Sequence, residues 1–231
     1  MTEPIDALVV TAMDEEAHPF LVNARAVPVD VAIGAAWRLT IRGRSVVVLR
    51  SGIGLVNSAC ATASALARFQ PRALLSSGSA GGLAEGIHVG DVVVGVTYAY
   101  ADADASAFGY APGQIPSMPP DYSGDETLVS LAASARRGDQ RVRPGKVVSG
   151  NSFVDARTVA RVRATFPGAL AADMESTALA QLAFLVGLPF ISVRGISDLC
   201  GPHAGDDFTY SVEEVSGRAA AVVQHVIERM G

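Results

Sequence analysis

The sequence predicts an α/β protein, and three observations carry that prediction. In residues 187–198 (GLPFISVRGISD), Phe190, Ile191 and Val193 form a short apolar run rich in β-branched residues, punctuated by Gly187, Pro189 and Gly195. Apolar on both faces rather than alternating, it has the pattern of a buried parallel strand. Residues 45–49 run into RSGIG and then LVNSACATASALARF, which reads as strand, glycine turn and helix. Finally, 231 residues with 49% hydrophobic and 18% charged content suit one large, well-packed domain spanning 1–231.

Composition excludes several function classes. A net charge of −5 gives no basic footprint for nucleic acid or a membrane surface. Cys60 and Cys200 cannot form a disulfide framework and neither lies in a CxxC pair, so reduced thiols are expected. The start, MTEPID, lacks a basic region leading into an apolar one, and no stretch reaches the ~18 apolar residues of a membrane span. A cytoplasmic protein is the expectation.

Taken in order, residues 5–10 form the first strand, ending at Thr11 and opening onto AMDEEAHPF. Asp14, Glu15 and Glu16 suit the first turn of a helix, where carboxylates meet unpaired N–H groups. On the 3.6-residue period Met13 and Glu16 share a face, so Glu16 is the one of the three expected to reach a cleft. His18 is expected at the surface. Residues 37–41 and 45–49 are strands joined by the RGR turn. Residues 73–75 form a further strand, followed by SSGSAGGL, which suits either an anion- or hydroxyl-binding loop or a tight turn with positive φ at Gly81 or Gly82. No Gly-Lys-Ser/Thr follows it, and GIG lacks the third glycine of a dinucleotide fingerprint.

Residues 91–96 make another strand. The segment 101–125 is then irregular and rich in proline and glycine, with Phe108, Tyr110, Ile115 and Met118 too apolar to leave in water. Such a segment is usually a functional loop or an interface, and a second subunit is the expected cover. A helix over 126–136, a polar connector over 137–144 and a strand over 145–149 lead into SGNSFVD. A basic helix over 157–165 and a small-residue strand over 169–172 precede DMES. There Asp173 and Glu175 open a helix with an apolar stripe through Leu179, Leu182, Ala183 and Val186. An amphipathic helix over 212–230 closes the chain.

Strand ends thus deliver three carboxylates (Glu16, Glu175 and Asp198), two glycine-rich backbones (52–54 and 78–82) and one aromatic, Phe153. In open α/β sheets, ligands bind beyond the carboxyl ends of the strands. Asp198 fits either a catalytic role there or the cap of a following helix. No His/Cys cluster offers a metal site, and no Ser-His-Asp set is apparent. Carboxylates in an apolar pocket suit hydrolysis through an oxocarbenium-like ion, one group protonating the leaving group and another polarising water.

The ordered motifs AMDEE, SGIG, GSAGGL, VGDVVV, DADASAFGYAPGQIP, SGNSFV, DMES and RGISD span nearly the whole chain. Together they resemble those of the bacterial 5′-methylthioadenosine/S-adenosylhomocysteine nucleosidases of the nucleoside phosphorylase superfamily. The resemblance implies a mixed, barrel-like β-sheet surrounded by helices, and a homodimer without metal or coenzyme. It implies that Asp198 protonates adenine N7, that Ser197 orients this acid, and that Glu16 positions and activates water. Glu175 would bind the ribose hydroxyls, Met174 would pack on the ribose, and Phe153 would stack on adenine while the Val154 backbone reads the purine edge. Ser79 and Gly81 match the loop near water and sugar, Ile53 and Phe208 the 5′-alkylthio pocket, and Met13, Phe108 and Pro116 pocket-lining positions. Phe108 and Pro116 would come from the partner subunit.

Asp173 stands where a glutamate is often seen, which implies a supporting role. Ala105 and Val154 replace larger residues, and CGPHAGD after Asp198 departs most, bringing Pro202 and His203 beside the 5′ pocket. Three other activities remain open: a purine nucleoside phosphorylase, an aminofutalosine or futalosine nucleosidase, and a non-catalytic nucleoside-binding homologue. A phosphorylase needs cationic groups for phosphate. TAMDEEA offers negative charge instead, although Arg50 and Arg194 are available, and all three carboxylates are present.

Overall fold

The first apolar run forms β1 (Glu3–Thr11), followed by α1 (Asp14–Leu21) and the strands β2 (Val27–Val29), β3 (Ala35–Ile41) and β4 (Arg44–Arg50). Next come α2 (Leu55–Leu66), the long β5 (Phe69–Gly82) and β6 (Val92–Tyr100). A 3₁₀ turn (Ser106–Phe108) and a short strand β7 (Tyr122–Ser123) interrupt the irregular segment before α3 (Glu126–Ala133). The rest is β8 (Val142–Ser149), α4 (Val159–Thr165), β9 (Ala169–Asp173), α5 (Ser176–Val186), β10 (Phe190–Asp198) and α6 (Ala204–Arg229). These elements come from a computed structural model that describes residues 2–135, 140–202 and 204–231, with residues 205–211 described by their backbone only.

All strands join one mixed sheet. Five of them, β5, β10, β6, β8 and β9, pair in a closed ring, and β1, β4, β3 and β2 extend it from β5. Closure leaves the ring without a free edge, and the extension ends in the short edge strand β2. β5 is long enough to serve two roles. Its first half pairs in parallel with β1, its second half in parallel with β10, and its last two residues also pair antiparallel with β9 (Gly81 with Ala172, Gly82 with Ala171). The carboxyl ends of β5, β9 and β10 therefore meet at one place, with Asp198 beside Gly81 and Gly81 beside Ala172. This barrel with helices around it is what the family resemblance implied.

All nine residues of β10 are buried, as its two-sided apolar pattern predicts, between β5 in parallel and β6 antiparallel. Helix α6 packs across β10 and β5 on one side, while α2 and α5 pack on each other. Among the described residues no helix is long and apolar enough to cross a membrane.

Several expectations need correction. SSGSAGGL is neither a loop nor a turn but the second half of β5, and none of Gly78, Gly81 and Gly82 has positive φ. These glycines answer a need for space: a Cβ on Gly78 would lie 2.5 Å from Glu16 Oε1, and one on Gly81 2.5 Å from Cys200 Sγ. The end of the expected polar connector is strand, because Val142, Arg143 and Pro144 pair with Val92, Val93 and Val94 of β6. Sheet pairing here overrides composition. Arg136–Asp139 lie outside the described residues, and with them the end of the helix expected over 126–136. On α5, Leu179 and Ala183 are buried, Leu182 is half-buried, and Val186 is exposed. Helix α6 begins at Ala204, eight residues before the expected start. Strands β2 and β7 were not anticipated.

Gly195 interrupts β10 because α6 lies directly on it: an added Cβ would sit 2.7 Å from the Val215 carbonyl carbon. Gly195→Ala should therefore force the helix off the sheet and cost about 1–3 kcal/mol of stability. Denaturant unfolding reads this directly, and an unchanged midpoint would mean the helix yields freely.

Candidate active site

The convergence of strand ends opens a cavity of about 330 Å³. Eleven of the predicted site residues line it: Met13, Glu16, Ile53, Ser79, Gly81, Phe153, Val154, Met174, Glu175, Ser197 and Asp198. Phe108 and Pro116 do not, and both lie exposed in the irregular segment. The side chain of Phe208 and the whole of His203 lie outside the described residues. Ile115 and Met118, for which a partner was expected as cover, are instead packed against the chain's own core.

Glu16 is the third residue of α1, and it is the buried member of the acidic triplet, as the helical period predicted. Its Oε2 accepts hydrogen bonds from the N–H groups of Ala12 (2.8 Å) and Met13 (3.3 Å), satisfying donors at the helix start. Its Oε1 accepts from Ser79 N–H (2.9 Å) and Ser79 Oγ (3.0 Å), across from the end of β5. The missing side chain at Gly78 leaves room for this carboxylate and for the Arg194 guanidinium.

Arg194, on β10, is 1% exposed and is the largest fully buried side chain among the described residues. A charge taken out of water must be paired and hydrogen-bonded. Arg194 Nε donates to Asp173 Oδ2 at 2.6 Å, Nη2 donates to Ser76 Oγ at 2.9 Å, and Nη2 lies 3.7 Å from Glu175 Oε2. Asp173 also accepts from Ser149 Oγ (2.5 Å), from the N–H of Ser176 (3.2 Å) and from Ser176 Oγ. Asp173 is thus the hub of a buried polar network, and its supporting role is structural in this concrete sense. Glu175 Oε1 accepts from Gly54 N–H at 2.9 Å, which ties the glycine turn after β4 to the start of α5.

Asp198 ends β10 just after a register shift, where Ile196 pairs with Ala80 and Asp198 with Gly81. The extra residue, Ser197, is a bulge that re-aims both side chains into the cavity. Ser197 Oγ lies 3.0 Å from Asp198 Oδ2 and 3.3 Å from the Ala80 carbonyl oxygen. With one proton to give, the hydroxyl can donate to the carboxylate, or donate to the carbonyl while accepting from a protonated Asp198. Asp198 Oδ1 accepts from Cys200 N–H at 2.8 Å. Of the two roles open to Asp198, the cap is not the one its side chain takes here, since α6 starts six residues later. Burial, with the charge of Asp198, pushes the Cys200 thiol up to about 12, so it is a neutral side chain and no nucleophile.

Sequence reasoning missed Ser149 and the pairing of Arg194 with Asp173: it weighed Arg194 only as a cation for phosphate and Asp173 only as a supporting residue. The signal available for Arg194 was a lone cation inside a run otherwise apolar on both faces. Among the described residues, no three His, Cys, Asp or Glu side chains are gathered as metal ligands.

The family model for the phosphorylase superfamily matches residues 6–229. A 5′-methylthioadenosine/S-adenosylhomocysteine nucleosidase of Staphylococcus saprophyticus is 38% identical over 225 residues, covering 95% of this chain and 98% of its own. The nucleosidase of that name from Neisseria meningitidis, solved with methylthio-immucillin-A, superposes with a TM-score of 0.94 at 33% identity, covering 97% of this chain and 99% of that one. The enzyme from S. pneumoniae, solved with a transition-state inhibitor, gives 0.93 at 34% identity, covering 98% and 100%.

Glu175 titrates unusually. Burial is the main cause; the Arg194 charge opposes it, Asp173 and Glu16 add to it, and the carboxyl is raised to about 7. Below its ordinary value of 4.5 its contribution to stability is fully present, and it is lost as pH rises through about 7. Glu175→Gln keeps an acceptor for Gly54 but cannot ionise, so it should gain stability over wild type at pH 8 relative to pH 5. Equal offsets in denaturant melts at the two pH values would show that ionisation of Glu175 plays no part.

Proposed function

This chain belongs to the phosphorylase superfamily, among its 5′-methylthioadenosine/S-adenosylhomocysteine nucleosidases, and we propose that it hydrolyses the N-glycosidic bond of those two nucleosides, releasing adenine and the 5-thioribose product. The observation that carries the proposal is the meeting of Glu16, Glu175 and Asp198 around one largely apolar cavity. Phe153 stacks on the base, the Val154 backbone reads its edge, Met174 packs on the ribose, and Met13 lines the cavity. Ile53 faces the 5′ group, for which the family resemblance also implies Phe208.

In the proposed reaction, protonated Asp198 gives its proton to adenine N7 as the bond from C1′ to nitrogen breaks, so the base leaves neutral. Ser197 can follow the change by turning its hydroxyl from the Ala80 carbonyl to the new carboxylate. Glu16 holds a water against C1′ and takes its proton as the new C–O bond forms. Of the four donors on Glu16, only Ser79 Oγ can rotate away, so it is the one that gives place to water. Glu175 accepts hydrogen bonds from the ribose hydroxyls in its ionised form. Phosphorolysis is disfavoured because the two candidate arginines are engaged, Arg50 by Asp14 and Arg194 by Asp173. No metal or coenzyme has a part in this scheme, and the free thiols Cys60 and Cys200 fit a reducing cytoplasm.

Adenine release from methylthioadenosine, S-adenosylhomocysteine and aminofutalosine, with and without phosphate, tests the reading. Phosphate-independent release from the two thioadenosines is expected, and Asp198→Asn should cut turnover by about 10²–10⁴-fold with the fold intact. Phosphate-dependent formation of ribose 1-phosphate, or near-normal rates in that variant, would overturn it.

The proposal includes a homodimer in which Phe108 and Pro116 complete the partner's pocket. Phe108 is 83% exposed, which leaves its ring available to a second copy of the chain. Phe108→Ala should raise KM, and mixing it with Asp198→Asn should restore a low-KM component. Each mixed dimer would hold one site with both groups native. No restoration on mixing would place Phe108 in its own subunit's site or in none.

A further inference from the structure

The loop after β8 carries Phe153 and Val154, yet it sits at the cavity rim with Asn151, Ser152 and Phe153 all exposed. Hydrogen bonds at its start fasten it to the rest of the chain. Gly150 N–H donates to the Asp173 carbonyl oxygen at 3.2 Å, and Asn151 N–H donates to Asp102 Oδ2 at 3.2 Å. Asn151 Oδ1 accepts from Leu55 N–H at 3.0 Å. Leu55 opens α2, whose preceding residue Gly54 offers no side-chain cap. The amide of Asn151 therefore satisfies an orphan donor of a helix from another part of the chain. The neighbouring N–H, that of Gly54, donates to Glu175.

We propose that Asn151 is a positioning residue: its side-chain oxygen latches the loop bearing Phe153 to the first turn of α2, holding the base-stacking wall in register with Glu175. The continuous link runs Asp102, Asn151, Leu55, Gly54, Glu175. Gly54 is part of the latch as well as its neighbour. It stands at φ 108°, and a Cβ there would lie 3.3 Å from Asn151 Oδ1. Without the latch, the walls carrying Ile53 and Phe153 are free to separate, and the ligand must order them on binding, which weakens affinity without touching the acid or the water-activating carboxylate. The roles given to Phe153 and Glu175 rest on the proposed nucleosidase reading, but the latch itself is a statement about which walls move together.

The test compares wild type with Asn151→Ala and Asn151→Asp in two assays: KM and kcat for methylthioadenosine, and the dissociation constant of adenine by calorimetry. Asn151→Ala should raise KM and weaken adenine binding about tenfold, as losing a helix cap predicts, with kcat within twofold. Asn151→Asp, which keeps an acceptor in the same place, should behave as wild type. Unchanged KM and adenine affinity in the alanine variant would overturn the latch. So would an aspartate variant as poor as the alanine one, or a fall in kcat at constant KM. A wild-type protein that binds adenine through Asn151 but cleaves none of the nucleosides would leave the latch standing and overturn the reaction. A wild-type protein that neither cleaves nor binds overturns both.

Discussion

The buried guanidinium of Arg194 is the constraint around which this molecule is arranged. A cation in the core is tolerated only if carboxylates and hydroxyls surround it. Asp173 meets it at 2.6 Å, Ser76 at 2.9 Å and Glu175 at 3.7 Å. Those partners come from β9, β5 and the start of α5, so satisfying one charge brings three segments to a single point. Replacing Asp173 would leave Arg194 underpaired, a more severe change than losing a surface ion pair. The same arrangement keeps Glu175 poised near neutrality, since burial and neighbouring carboxylates outweigh the attraction of the arginine.

Glycine in β5 is the complementary constraint. Gly78 and Gly81 are where side chains from α1, β10 and the turn after it need the space a Cβ would occupy. The strand gives up local stability there. In return the Glu16 carboxylate, the Arg194 guanidinium and the Cys200 thiol reach positions that an alanine-containing strand would deny them.

Much of this was legible in the sequence. The two-sided apolar pattern of residues 190–193 identified β10 as a buried strand, and the 3.6-residue period chose Glu16 from three adjacent acids. Both are local signals. SSGSAGGL was misread because its composition suits a loop, while its actual role depends on what packs against it. Val142–Pro144 was read as a connector because the β6 partner that makes it a strand lies some fifty residues away. Asp173 looked like a helix-start acid, and only the fold reveals the arginine it answers. The barrel came from resemblance rather than from patterning, for closure of a sheet is a property of pairings and leaves no period in the chain.

The junction of β5, β9 and β10 has a consequence for how the protein moves. The floor of the cavity is made of strand ends locked into a closed ladder, with Asp198 beside Gly81 and Gly81 beside Ala172. Amides in such a ladder exchange with solvent only through the rarest openings, whereas those of the rim exchange through local fluctuation. Deuterium would therefore reach the loop after β8 long before the floor. Exchange would thus separate the two sides of one small pocket: a floor held within the ladder, and a rim held outside it.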